Sequence, residues 1–209
     1  MRMARNIAGI GVLGSLGLMG CGDPVPPAAQ AGISIHLQEY DPMDPTWGTW
    51  DCPPYRHWVN VPYDKDRTPT NQKQLTDANQ ATRAVNNQDG NSVSCTVKPK
   101  GSGFDVTGRG NAYAESDGKK YKPSIVVIRI PEIKEGDTVA KGQLTIQDDA
   151  SLNPYTSEEC TFSVQGGSFG VEAGKIWGSV TCHGLRDPSA LNAACYVDTG
   201  FYVFENCAK

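Results

Sequence analysis

No apolar run in this 209-residue chain reaches the roughly twenty residues a helix needs to cross a bilayer. The most apolar segment, IAGIGVLGSLGL at 7–18, stops at twelve. Histidine is scarce, with three in all (His36, His57 and His183), and no C-x-x-C occurs. A zinc centre is therefore not expected, and neither is any other metal or cofactor. Long basic runs are missing too: 19 Lys and Arg stand against 23 Asp and Glu, a formal charge of −4. Such a balance argues against a nucleic-acid partner, because phosphate binding needs clustered cations. Carboxylates are absent from the first twenty residues, whose only charges are Arg2 and Arg5.

That first segment has the three parts of a secretory signal: a basic end, a short apolar core and small residues before a cut. Leu18-Met19-Gly20-Cys21 resembles the lipobox of bacterial lipoproteins. The resemblance implies cleavage by signal peptidase II just before Cys21 and lipidation of that cysteine. It thus implies a signal peptide at 1–20, a membrane partner reached through an N-terminal lipid, and a palmitate-type anchor. Two or three acyl chains tether a protein firmly, where one does so only marginally. Gly22, standing where Asp would favour retention in the inner membrane, points to the outer membrane. Gly9-Ile10-Gly11-Val12-Leu13-Gly14 fits G-x-G-x-x-G, but the dinucleotide site needs a strand before it and a helix after it. A cleaved signal supplies neither. Cleavage would remove two arginines and no acid, moving the formal charge from −4 to −6.

Seven cysteines is an odd number. With Cys21 assigned to lipid, six remain: Cys52, Cys95, Cys160, Cys182, Cys195 and Cys207. An even set in an exported chain reads as three disulfides. Cys195 and Cys207 bracket one strand-like run and are expected to pair with each other; the other four are left unassigned.

Residues 21–32, the lipidated cysteine followed by a Pro-rich stretch, read as an extended linker. From 33 to 209 the chain reads as one domain, and its patterning is mostly of period two. Ile33, Ile35 and Leu37 share a face, as do Val93, Cys95 and Val97, and Cys160, Phe162 and Val164. Half-buried strands follow. SIVVIRI, 124–130, is nearly all apolar and reads as a central strand covered on both faces. About ten strands, separated by turn pairs such as Asp117-Gly118, predict an all-β fold: an antiparallel β-sandwich, jelly-roll or Ig-like, stapled by disulfides. Residues 70–88 are the exception, since Leu75, Ala78, Thr82 and Val85 fit either a short helix or a long loop. The pattern of VSCTV, CTFSV, GKIWGSVTC and FENC loosely resembles uncharacterised envelope lipoproteins of myxobacteria. That resemblance supplies no catalytic residue to carry over.

Several motifs invite a chemical reading. Gly166-Gly167-Ser168-Phe169-Gly170 satisfies G-x-S-x-G, but the nucleophile elbow needs a helix after the serine and a later histidine. Here strand-like sequence follows, and His183 is the only downstream histidine; a hairpin loop is expected instead. Asp148-Asp149 and Glu158-Glu159 would point to opposite faces of a strand, which argues against a glycosidase pair. Asp41, Asp44, Asp64 and Asp66 lie close in sequence without the D-x-[DN]-x-[DN]-G loop of a calcium site.

The most unusual composition is DPTWGTWDCPPYRHW at 44–58, which holds Trp47, Trp50, Tyr55 and Trp58. Aromatic rings grouped this way form either a satellite core or a platform for sugar rings and apolar partners. No catalytic residue is assigned. The expectation is a lipid-anchored envelope protein with a non-catalytic binding or structural domain for glycan or protein ligands. The alternative is an envelope hydrolase acting on polysaccharide or peptidoglycan.

Overall fold

The computed structural model describes residues 26–38, 52, 57–75, 82–149, 153–189 and 194–209. Among them there is no α-helix. The strands are β1 (Gln30–Gln38), β2 (His57–Val61), β3 (Ala84–Val85), β4 (Ser92–Lys100), β5 (Gly103–Ala112), β6 (Glu115–Ser116) and β7 (Lys119–Lys120). They continue with β8 (Ser124–Ile133), β9 (Ala140–Gln147), β10 (Tyr155–Ser163), β11 (Gly170–Glu172), β12 (Lys175–Arg186) and β13 (Ala194–Glu205). The chain adopts the antiparallel, disulfide-stapled all-β fold expected from its alternation.

One sheet of eleven strands runs β2-β1-β13-β12-β10-β9-β8-β5-β4, with β11 added on β12 and β3 on β1. It is curled into a half-barrel, so its two halves face each other as the layers of a sandwich and β2 packs on β5 and β8. The inward side chains of the two halves meet in one core, among them Ile33, Ile35, Val106, Ile128, Leu144, Phe162, Val180, Tyr202 and Phe204. Burying each such side chain contributes about 1.5–3 kcal/mol. The layers approach closely at Gly108, where a Cβ would stand 2.7 Å from the Phe204 ring. Any larger residue there would collide with the opposite layer. Asp117 and Gly118, with φ of 51° and 71°, make the tight β6–β7 turn for which this residue pair is suited.

The edge at β4 is partly covered. Ala208 bridges to Thr96 in parallel, Val97 N donates to Ala208 O at 2.9 Å, and Gly174 N donates to Val97 O at 3.2 Å. Beyond this patch the strand ends Lys98-Pro99-Lys100, residues that discourage further strand pairing.

Three details differ from the sequence reading. The disulfides are Cys52–Cys195, Cys95–Cys207 and Cys160–Cys182, so Cys195 and Cys207 do not pair with each other. Cys195 is the second residue of β13 and Cys207 lies just past its end, so about 40 Å of extended chain separates them, far beyond the Cα separation of about 7 Å that a disulfide can bridge. Residues 124–130 do form an interior strand, but the burial alternates: Val126, Ile128 and Ile130 face the core while Arg129 is exposed. Its outer face is thus uncovered. The first strand also begins at Gln30, three residues before the alternation does, and Ala31 is buried.

Within 70–88 the described residues contain a single 3-10 turn, Pro69–Asn71, and the short β3; residues 76–81 lie outside the description. Gln72 organises the part before the gap. Its side-chain amide donates to Asp64 O at 3.0 Å, and its Oε1 accepts from Asp64 N at 3.0 Å and from Asn60 Nδ2 at 3.3 Å. Asn60 Oδ1 accepts from Ser34 Oγ at 2.8 Å, and that hydroxyl accepts from Leu75 N at 3.1 Å. Side chains that satisfy backbone groups in this way replace a helical ladder and tie residues 62–75 over the outer face of β1 and β2.

Candidate functional site: an aromatic stripe on the outer face

The alternation that sends Ile33, Ile35 and Leu37 inward sends His36 and Gln38 outward. His36 lies opposite Trp58 of β2 on one side and Thr199 of β13 on the other. The imidazole stacks on the indole, with ring centroids 4.7 Å apart and planes 20° apart. His36 Nδ1 is 2.9 Å from Asp198 Oδ1 and 3.4 Å from Gln38 Nε2. A register shift in β1–β13 pairing at this point places Asp198 within reach. Bulges commonly re-aim a side chain in this way.

The stripe continues along the outer face of β13 and β12. Tyr196 lies opposite Gln38 and 5.1 Å from the His183 ring. Phe201 is 6.2 Å from Phe169. Trp177, over Gly170, carries the Lys175 ammonium 4.6 Å from its ring centre. From Tyr196 to Glu205 the stripe is about 30 Å long at the rise of an extended strand. Its rings are partly exposed. At the far end Glu205 accepts from Arg83 Nε at 3.0 Å and from Lys175 Nζ at 2.9 Å. Beside it opens a concavity of about 650 Å³ walled by Pro26, Pro27, Glu172, Lys175, Glu205 and Lys209.

Of the aromatic residues singled out in the sequence, Trp58 is described and faces outward; Trp47, Trp50 and Tyr55 lie outside the described residues, as does the lipidation candidate Cys21. Cys52, in the middle of that segment, is bonded to Cys195, which fastens it at the start of β13 next to Tyr196. Alternation within ISIHLQ and KIWGSVTC already marks His36 and Trp177 as outward residues. That β1, β2, β12 and β13 are neighbours is a property of the strand order.

The other motifs are dispersed. Ser168 is exposed in the turn between β10 and β11, closed by a hydrogen bond from Phe169 N to Gly166 O at 3.0 Å. His183 is six residues along β12 from Trp177, the partner of Gly170, so about 20 Å of strand separates it from the serine loop. Asp148 is buried against His57, with Nε2 and Oδ2 2.7 Å apart, while Asp149 accepts from Lys122 N at 2.8 Å. Glu158 and Glu159 are exposed at a register shift of β10. Asp64 pairs with Arg67 at 3.0 Å, and Asp41 and Asp44 lie outside the described residues. Among the described residues no three His, Cys, Asp or Glu side chains cluster as a metal site would require. His36 and Asp198 form a histidine–carboxylate pair, but no serine, threonine or cysteine hydroxyl or thiol bonds to His36 among the described residues.

Three disulfides in a chain with a core of this size mark an all-β domain of an oxidising compartment, extracellular or periplasmic. Comparison with protein-family models, curated proteins and solved structures returned no match for this chain.

Proposed function

We propose that this protein is a lipid-anchored component of the bacterial cell envelope, held in the outer membrane through Cys21, whose β domain binds a glycan non-catalytically along the aromatic stripe. The observation that carries the reading is the alignment of Trp58, Tyr196, Phe201 and Trp177 on one outer face. Sugar rings stack on aromatic faces, and rings held on a rigid sheet lose little entropy on binding.

The polarity of β1 supports the same reading. Ala28 O accepts from Asn206 Nδ2 at 3.0 Å, so the linker joins the domain beside Glu205. Trp58 and His36 stand toward the opposite end of β1, about 20 Å further on. A tether at one end thus presents the densest aromatic group at the other.

The test uses the full chain. Cys21→Ser should leave the protein unprocessed or release it from the membrane fraction; normal processing with membrane retention would sink the anchor. For binding, peptidoglycan and neutral polysaccharides are titrated while tryptophan fluorescence and released sugar are followed. Saturable binding without sugar release, weakened at least tenfold by Trp58→Ala or by a Trp47→Ala/Trp50→Ala pair, is expected. Released sugar would instead favour an envelope hydrolase.

A further inference from the structure

A second face carries a different chemistry. On the outer side of β4, β5, β8, β9 and β10 the pairing sets residues in rows across the strands. One row is Ser94, Arg109, Val127, Thr145 and Thr156; the next is Thr96, Thr107, Arg129 and Gln143. The paired residues of these rows carry no carboxylate, although acids outnumber bases in the chain; Asp105, two residues before Thr107 on β5, and Glu158 and Glu159, at the β10 register shift beyond Gln143, border the face. The hydroxyls are ordered among themselves: Thr96 and Thr107 Oγ1 are 2.7 Å apart, and Thr145 and Thr156 Oγ1 are 2.9 Å apart.

Arg109 and Arg129 are diagonal neighbours on this face, because Arg109 pairs with Val127 and Arg129 with Thr107. Their Cβ atoms are therefore about 7 Å apart. Both are exposed, and neither makes an ion pair or side-chain hydrogen bond within the described residues. Two like charges side by side are unfavourable, and nothing in the fold requires them at solvent-facing positions. A guanidinium pair on two adjacent, hydrogen-bonded strands is instead suited to bidentate recognition of carboxylates. The flanking threonines and Gln143 donate and accept, as sugar hydroxyls do, and half-buried Val127 offers an apolar contact for the C–H face of a ring.

We propose that the outer face of β5, β8 and β9 is a binding site for a carboxylate-bearing, acidic polysaccharide, with Arg109 and Arg129 holding successive acidic groups and the threonine and glutamine rows holding its hydroxyls. Two arginines on a hydroxyl-rich face are too few for the phosphate density of nucleic acid or an anionic bilayer. This site is separate from the aromatic stripe and does not rest on its function.

The test titrates the full chain, purified in detergent, with polygalacturonate and with a neutral galactan. Saturable binding to polygalacturonate, weakened by salt and absent for the galactan, is expected. Arg109→Ala/Arg129→Ala should weaken it at least tenfold. Arg109→Lys/Arg129→Lys, which keeps charge and fold but loses the fork, should weaken it several-fold, and Trp58→Ala should leave it unchanged. No binding to polygalacturonate, or equal binding by the double alanine variant, overturns the proposal. Loss of binding in Trp58→Ala alone assigns the acidic polymer to the stripe and overturns it as well. Arginine-dependent binding to vesicles containing phosphatidylglycerol, without binding to polygalacturonate, replaces the polysaccharide with a membrane surface.

Discussion

His57 of β2 and Asp148, just past β9, meet in the interior with Nε2 and Oδ2 2.7 Å apart. The pair joins the edge of one layer to the end of a strand in the other. The two side chains are 1% and 6% exposed, so the contact is shielded from water. Removing one member of such a pair takes a hydrogen-bond partner from a buried polar group. Asp148→Ala is expected to lower unfolding stability by about 1–3 kcal/mol, measured by urea denaturation. A loss below about 1 kcal/mol would show that the contact does not hold the layers together.

Disulfide pairing follows from strand adjacency. Non-reducing peptide mapping is expected to recover Cys52–Cys195, Cys95–Cys207 and Cys160–Cys182. In a loop-entropy model the long loops count for more, about 4–5 kcal/mol against about 3 for the shorter one. Replacing Cys52 and Cys195 by Ala should therefore destabilise the domain more than replacing Cys160 and Cys182. The reverse order in thermal melts would mean that local packing outweighs chain entropy.

Tyr202 stands edge-on to Phe162, with centroids 5.7 Å apart, and its fully buried hydroxyl has no hydrogen-bond partner among the described residues. Burial pushes its phenol well above the usual range. An unpartnered buried hydroxyl costs about 1–3 kcal/mol, so Tyr202→Phe is expected to keep the packing and raise stability by about 1 kcal/mol. A fall in stability would reveal an ordered water bonded to that hydroxyl.

Glu205 sets an acid limit. Burial by itself would raise its carboxyl, but hydrogen bonds from Lys175 and Arg83, with their charges, outweigh it and hold the group below its ordinary 4.5. A carboxyl depressed on folding contributes stability above the unfolded-state pKa and loses it as pH falls through the folded one. The contribution should thus be complete at neutral pH, start to fall below about pH 4.5 and vanish as pH drops through the lower folded-state value. Glu205→Gln should cost about 1 kcal/mol at pH 7 and flatten the acid limb of the stability profile. An unchanged acid limb would assign it to other carboxylates.

Which residues face inward was legible from the sequence at Ile33, Ile35 and Leu37, at Val93, Cys95 and Val97, and at Cys160, Phe162 and Val164, because alternation is a local property of extended chain. Trp58 was marked by composition. His57–Asp148, the pairing of His36 with Asp198 and the juxtaposition of Arg109 and Arg129 were not legible, since each joins residues from strands that only register brings together. The apolar run 124–130 misled about its outer face because Ile125 and Val127 are half-exposed there beside Arg129.

The sequence by itself determined a cysteine-paired, all-β chain of an oxidising compartment, since period-two alternation, turn residues and cysteine content are read from the chain without knowledge of its strand order. The curling of one sheet into two layers, the three disulfide partners, and the assembly of an aromatic face and an arginine face were decided only by tertiary structure. Strand order is set by non-local pairing and by close approaches such as Gly108 on Phe204, and no local periodicity encodes which distant strand will lie alongside.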